Sequence, residues 1–400
     1  MVEDVDYIEF YVASKLVIVE EEPVQQVVID FQEVEMSERF IVGSFEMAGS
    51  HRFAAILLKN YFKKTEDKIP WRVGSWYRVP TAVFQNGRYS HFDESVPEFT
   101  FLRGEIIFDS PVHFERVKAL PPKFLELSED ELSELSILPK ISTKNIELVV
   151  VDCGQGNWNE LLLDNCVICY DLGGAVQNNR QIPLSSLVQT RFANYLCDEI
   201  YVVLSHWHLD HFKALLGCTK AEFLKIKGFI APGKFPASTH AKSLYLMLKL
   251  ANVPIVLLPA GQQRQNTTKC TLELASTHGC IDIYRATPSR RPNHGIMLTV
   301  NGNFKTGLLT GDHNYFQVID VVTRCNTQSR CVLVVPHHGG NGGTINVQAW
   351  NNEFVNCDSA ISVGSNIYGH PRQSVLTSLS RFKNNVINRT DISGDISYNL

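Results

Sequence analysis

Ser205-His206-Trp207-His208-Leu209-Asp210-His211 is the stretch that decides the reading of this 400-residue chain. It follows Glu199-Ile200-Tyr201-Val202-Val203-Leu204, an apolar, β-branched run that reads as a buried strand. Three imidazoles and a carboxylate thus meet in the loop at a strand's end. A tight loop turns neighbouring side chains toward two adjacent points, so H-x-H-x-D-H can begin two metal sites rather than one. Imidazole with carboxylate suits Zn²⁺, Mn²⁺ or Fe, whereas a soft thiolate site would need cysteines in this loop.

Further pieces follow in order. They are Val151-Asp152-Cys153-Gly154-Gln155-Gly156, Tyr170-Asp171-Leu172-Gly173 and Leu309-Thr310-Gly311-Asp312, then Val335-Pro336-His337-His338-Gly339-Gly340 and Asn366-Ile367-Tyr368-Gly369-His370-Pro371. Lys305–Thr310 and Cys331–Val335 read as strands, so Asp312 and His337 also stand at strand ends. Together with H-x-H-x-D-H, these motifs resemble the metallo-β-lactamase fold. The V-D-x-G-Q-G, H-H-G and N-x-Y-G-H-P pieces are similar to the hydrolase domain of ComEC-type DNA-uptake proteins. The resemblance covers about residues 145–400. It implies an α/β architecture, the αββα sandwich, holding two divalent ions, Zn or Mn. His206 and His208 would hold the first ion, Asp210 and His211 the second. Asp312 would bridge both, and His337 would complete the second centre. Asp171 is expected to orient the loop by accepting a ligand histidine's other N–H. His338 would face the substrate, and His370, with Asn366 beside it, would bind a phosphate oxygen or protonate the leaving group.

One position departs from the family pattern. A metal histidine in a T-P-x-H context is expected before the G-D motif, and Thr287-Pro288-Ser289-Arg290-Arg291 places Arg290 there. His294 is the candidate substitute, with His278 behind it. Arg290 and Arg291 read either as a bidentate phosphate clamp or as a solvated loop pair. Gly339-Gly340-Asn341-Gly342-Gly343 reads either as a backbone anion cradle or as a lid.

Length and composition set the frame. Four hundred residues predict two domains. A hydrophobic fraction of 44% with 20% charged residues describes a globular protein, and no run reaches the roughly 18–20 apolar residues of a membrane span. The membrane channel that normally accompanies a ComEC-type hydrolase has no counterpart here. An acidic start, Met1-Val2-Glu3-Asp4, is unlike the basic beginning of a secretory signal. Ten cysteines without disulfide-framework density predict reduced thiols and a cytoplasmic setting. Cys166-Val167-Ile168-Cys169 reads as core packing rather than a redox pair.

Residues 1–120 are read as a smaller β-rich accessory domain that offers a surface to a protein partner. Tyr7–Val12, Val24–Phe31 and Phe101–Phe108 alternate like strands, and Arg52–Phe62 fits an amphipathic helix. Trp71, Trp76, Tyr77 and Phe84 read as its core. Residues 121–145 form a linker, with Ser128-Glu129-Asp130-Glu131 opening a short helix. Residues 146–400 are the hydrolase domain. Residues 1–145 hold 16 Lys/Arg against 25 Asp/Glu, a balance of 16 − 25 = −9, and the remainder holds 21 against 17, or +4. A mildly basic catalytic half suits an anionic substrate. The expected activity is metal-dependent hydrolysis of a phosphodiester, with DNA first among nucleic acid or nucleotide substrates and Asp210, His338 and His370 as catalytic groups. The alternatives are a nucleotide phosphodiesterase, a lactone or thioester hydrolase, and a degenerate interaction module.

Overall fold

The computed structural model describes residues 7–16, 24–31, 55–61, 71–72, 75–85, 88–91, 102–108, 112, 114–117, 137–139, 141, 145–175, 184–233, 236, 238–262, 270–287, 295–324, 328–364, 366 and 369–400. The chain divides into two compact units, one of residues 1–126 with 236–246, the other of residues 127–235 with 247–400. Arg290, Arg291, His294, Tyr368 and the helix expected from Ser128 lie outside the described residues.

The first unit contains β1 (Tyr7–Leu16), β2 (Val24–Phe31), β3 (Ala55–Tyr61), β4 (Trp76–Pro80), α1 (Thr81–Gln85), β5 (Arg88–His91), β6 (Leu102–Phe108) and β7 (Glu115–Val117). They form one sheet in the order β5-β6-β3-β2-β1-β4-β7. Within the stretch expected as a helix at Arg52–Phe62, the described residues Ala55–Tyr61 are strand β3. It lies between β2, which it meets antiparallel, and β6, which it meets parallel. Pairing on both edges satisfies its backbone, and Leu58 is fully buried, so tertiary context overrides the local helical periodicity. Trp71, Tyr77, Phe10 and Phe114 interlock beneath the sheet, with the Trp71 and Tyr77 rings 4.7 Å apart, edge to face. The tryptophans are core, as the sequence reading had them.

The second unit is built on two seven-stranded sheets of matching plan. The first holds β8 (Glu147–Val150), β9 (Trp158–Leu162), β10 (Val167–Leu172), β11 (Ile200–Val203), β12 (Ile226–Pro232), β13 (Ile255–Leu258) and β21 (Ile396–Asn399). The second runs β14 (Leu272–His278), β15 (Ile281–Ala286), β16 (Ile296–Asn301), β17 (Thr306–Leu309), β18 (Arg330–Val334), β19 (Asn356–Ile361) and β20 (Ile387–Arg389). In each, an antiparallel meander passes into a parallel half: β10 to β13 in one, β17 to β20 in the other.

The sheets face each other across one apolar core. Ile168, Tyr170, Val203 and Ile230 from the first meet Ile283, Leu298, Leu309 and Val334 from the second. Their outer faces take helices. On the first sheet, Glu160 and its register partner Cys169 point away from that core, toward α2 (Leu184–Asn194). On the second, Leu308, Leu333 and Ile361 pack under α3 (Tyr315–Val322), α4 (Val347–Glu353) and α5 (Gln373–Leu379). The result is a mixed α/β body of helix, sheet, sheet and helix layers. Cys166 and Cys169 are fully buried in the first sheet, and burial pushes the Cys166 thiol up to about 12, the behaviour of packing residues. Among the described residues no helix is long and apolar enough to cross a membrane.

Candidate metal centre

Both parallel halves end at the same place. Asp171 closes β10 and His206 follows β11, while Asp312 follows β17 and the His337-His338 pair follows β18. A bond from Ile296 N–H to Ser205 O (2.8 Å) and one from Tyr170 O–H to Ile296 O (2.7 Å) tie the sheets together there. Carboxyl ends of parallel strands are where such folds gather ligand groups, since the loops leaving them converge.

Two groups of three metal-binding side chains result. His206, His208 and Asp312 form one, and Asp210, His211 and His338 form the other, each with its ligand atoms within 4.8 Å of one another. Asp312 reaches toward both: its Oδ2 is 3.5 Å from His206 Nε2 and its Oδ1 is 3.4 Å from His211 Nε2. His338 Nε2 stands 3.5 Å from Asp210 Oδ2. His206, His208, Asp210, His211 and Asp312 thus lie together, whereas His278, at the end of β14, has its Nε2 3.1 Å from Ser276 Oγ and belongs to neither group.

The inner shell is short of partners and the outer shell is not. His206 Nε2, His211 Nε2, His338 Nε2 and Asp312 Oδ1 are buried without a hydrogen-bond partner. The opposite edge of each ring is held: His211 Nδ1 lies 2.8 Å from Asp171 Oδ2, His206 Nδ1 is 3.0 Å from Ser205 Oγ, and His338 Nδ1 is 2.8 Å from Ser362 O. Buried polar atoms left unpaired cost free energy, and four converging on two points fit a pair of divalent cations. Imidazole nitrogen with carboxylate oxygen is a donor set for divalent ions such as Zn, Mn or Fe.

Electrostatics agree. Burial raises the Asp210 carboxyl, but His211 and His338 beside it hold it below the usual carboxylate range. Asp312 behaves alike, with burial outweighed by His337, His211 and His206. Burial and then His206 push His208 down to about 4. Burial lowers His211 too, yet Asp171, Asp312 and Asp210 carry it above its ordinary value.

Of the two histidines after β18, it is His338 that stands with Asp210 and His211, where His337 was expected. His338 joins the second group, while His337 turns to Asp312, its Nδ1 3.1 Å from Oδ2. Both have left-handed backbone, φ 53° and 55°, followed by Gly339 at 77°. Three such residues in a row swing successive side chains in directions that sequence alone does not reveal. Asn366, expected at the substrate, commits its amide to its own loop, accepting from His370 N (3.0 Å) and donating to His370 O (2.8 Å). His370 is half-buried with its ring over Gly340, where an added Cβ would meet Cε1 and Nε2 at 2.6 Å. Burial, then His338 and Arg372, bring it down to about 4.

Several residues were passed over in the sequence. Asn157 extends the V-D-x-G-Q-G motif and grips the metal loop: its N–H donates to Asp210 O at 3.0 Å and its Nδ2 donates to Asp171 Oδ2 at 2.6 Å. Gly173 must be glycine because a Cβ there would lie 1.8 Å from Asp210 O. His313, buried directly behind Asp312, falls to about 3 through burial and His206. Its adjacency in T-G-D-H was the one available signal.

No protein-family model matches the sequence, and no curated protein matches it. Among solved structures the chain is similar to CmlA, a diiron β-hydroxylase from Streptomyces venezuelae, at 10% identity and a TM-score of 0.38. That match covers 64% of this chain and 54% of the other, so the chain spans about half of its length. Human tRNase Z, short form, matches at 10% identity and a TM-score of 0.36 over 55% of this chain and 93% of that one. A protein of unknown function from Enterococcus faecalis V583 matches at 10% identity and 0.27, over 61% and 77%.

Proposed function

We propose that residues 146–400 form a metal-dependent hydrolase of the metallo-β-lactamase type acting on phosphodiesters, with DNA the expected polymer. The observation that carries this reading is the convergence of His206 Nε2, His211 Nε2, His338 Nε2 and Asp312 Oδ1, buried and unpartnered, within two adjoining three-residue groups. His206, His208 and Asp312 would hold one ion, and Asp210, His211 and His338 the other, with Asp312 shared. Two divalent ions held there would acidify a water toward neutral pH and polarise a phosphoryl oxygen, leaving the phosphorus more electrophilic.

The remaining chemistry belongs to side chains. Asp171 and Ser362 fix the histidine rings, so the donor atoms need no reorganisation when substrate arrives. Two imidazoles near but outside both groups have roles of their own in this reading: His370 would bind a phosphoryl oxygen and His337 would hold Asp312 in orientation. The net positive balance of the catalytic half favours an anionic polymer over a neutral ester.

Cleavage of bis(p-nitrophenyl) phosphate and of plasmid DNA, with Mn²⁺ or Zn²⁺, tests the reading. Metal-dependent cleavage of both is expected, falling to background in Asp312→Ala. Cleavage of the small diester alone would redirect the assignment to nucleotides. Bound metal with neither substrate cut would overturn the phosphodiesterase reading and leave ester or lactone substrates to try.

A further inference from the structure

We infer that Ser205 is a positioning residue whose hydroxyl extends the hold of one carboxylate, Asp171, from the second metal group to the first. The inference rests on the two-ion reading above.

Asp171 is fully buried and, ionised, only accepts. Its Oδ1 takes Ser205 N–H at 2.6 Å. Its Oδ2 takes Asn157 Nδ2 at 2.6 Å, Ser205 Oγ at 2.8 Å and His211 Nδ1 at 2.8 Å. The orientation of the Asn157 amide is not free, because its Oδ1 accepts from Asn159 Nδ2 at 2.9 Å. Ser205 has one proton to give. The carboxylate claims it, so the hydroxyl's lone pair faces His206 Nδ1, 3.0 Å away, and only an N–H can complete that contact. His206 must then carry its proton on Nδ1. His211 must do the same, since its Nδ1 faces a carboxylate oxygen.

Both rings consequently present a bare Nε2, and these are two of the unpartnered atoms aimed at Asp312. His211 Nδ1 has the carboxylate directly, with Ser205 Oγ as a longer neighbour at 3.1 Å, whereas among the described residues His206 Nδ1 has Ser205 Oγ alone. The two centres share one anchor, and the hydroxyl is the link to the first. Packing holds the link in place, since an added Cβ at Gly311 would meet Ser205 Oγ at 2.9 Å.

Zinc titration of the full chain against a chromophoric chelator tests this, with His338→Ala identifying which binding step belongs to the second group. Ser205→Ala is expected to weaken the first-group step by about 10–100-fold, the size typical for loss of a partner behind a ligand, and the second, where His211 keeps Asp171, by much less. Asp171→Asn is expected to weaken both steps. A merely structural role for Ser205 would weaken both steps equally or neither, and either result overturns the link. An independent check uses wild-type protein labelled with ¹⁵N-histidine and loaded with zinc. His206 is expected to hold the ion through Nε2 with a proton on Nδ1, and coordination through Nδ1 would overturn the proposal. A wild-type chain that takes up no zinc overturns the two-ion reading itself, a failure distinct from loss of the link alone.

Discussion

Asp312 shows how much one side chain is asked to do. Its two oxygens face His206 and His211, and His337 leans on it from a third direction. The sequence made this position visible because a G-D pair at a strand end, in order after H-x-H-x-D-H, has few other readings. The partition of His337 and His338 was not visible, since adjacent identical residues differ only through left-handed dihedrals. Gly173 is a sharper test at the same scale. A methyl there would meet Asp210 O at 1.8 Å and Asn157 N and O at 2.7 Å, all backbone atoms that cannot rotate aside. Gly173→Ala should destabilise the chain by several kcal/mol, about 3 or more, through displacement of the metal loop. Chemical denaturation checks this, and a wild-type midpoint would mean that the contact is looser than described.

Elements were legible where hydrophobic alternation and pairing agree. β1, β2, β8, β10, β11, β17 and β18 all fall on apolar runs recognisable in the sequence. β3 was not, because a seven-residue segment with scattered apolar positions satisfies either period, and its two neighbours lie in distant sequence. The helix Leu184–Asn194 buries Leu184, Val188 and Phe192 at helical spacing, a pattern its sequence shows, but its anchor is not visible there. Arg191 grips Glu160 on β9 in bidentate fashion, Nε to Oε1 and Nη2 to Oε2 both at 2.6 Å, and its Nη1 reaches Asp395. The Glu160 side chain is 1% exposed and Arg191 18%, so solvent screens the pair little. Arg191→Ala should cost about 3–5 kcal/mol, because it strands a buried carboxylate. A double variant with Glu160→Gln should recover part of that loss in urea unfolding; no recovery would place the cost in packing rather than charge.

At the scale of the second unit, two sheets of matching plan bring their parallel halves to a common end, and that shared end is the site. Sequence reading reached the layers through a resemblance. The register that aligns β10–β11 with β17–β18 depends on contacts far apart in the chain. The metal-free state should betray the crowding of imidazoles. His208 titrates near 4 and His313 near 3 instead of the ordinary 6.5, both chiefly through burial. Between about pH 4 and 6.5 the unfolded chain therefore binds protons that the folded chain refuses, so stability rises with pH across that window. His211 has the opposite sign: its folded value lies above 6.5, so its contribution is full below 6.5 and is lost as pH rises from there through the higher folded value. Chelator-treated protein should melt at a higher temperature at pH 6.5 than at pH 5, and a flat or inverted trend would contradict the described burial. The central claim is the pair of cation sites, and anomalous diffraction from crystals grown with Mn²⁺ or Zn²⁺ addresses it most directly. Two peaks are predicted, one among His206, His208 and Asp312, the other among Asp210, His211 and His338, with Asp312 touching both; no peak at these residues, or peaks only elsewhere, would contradict it.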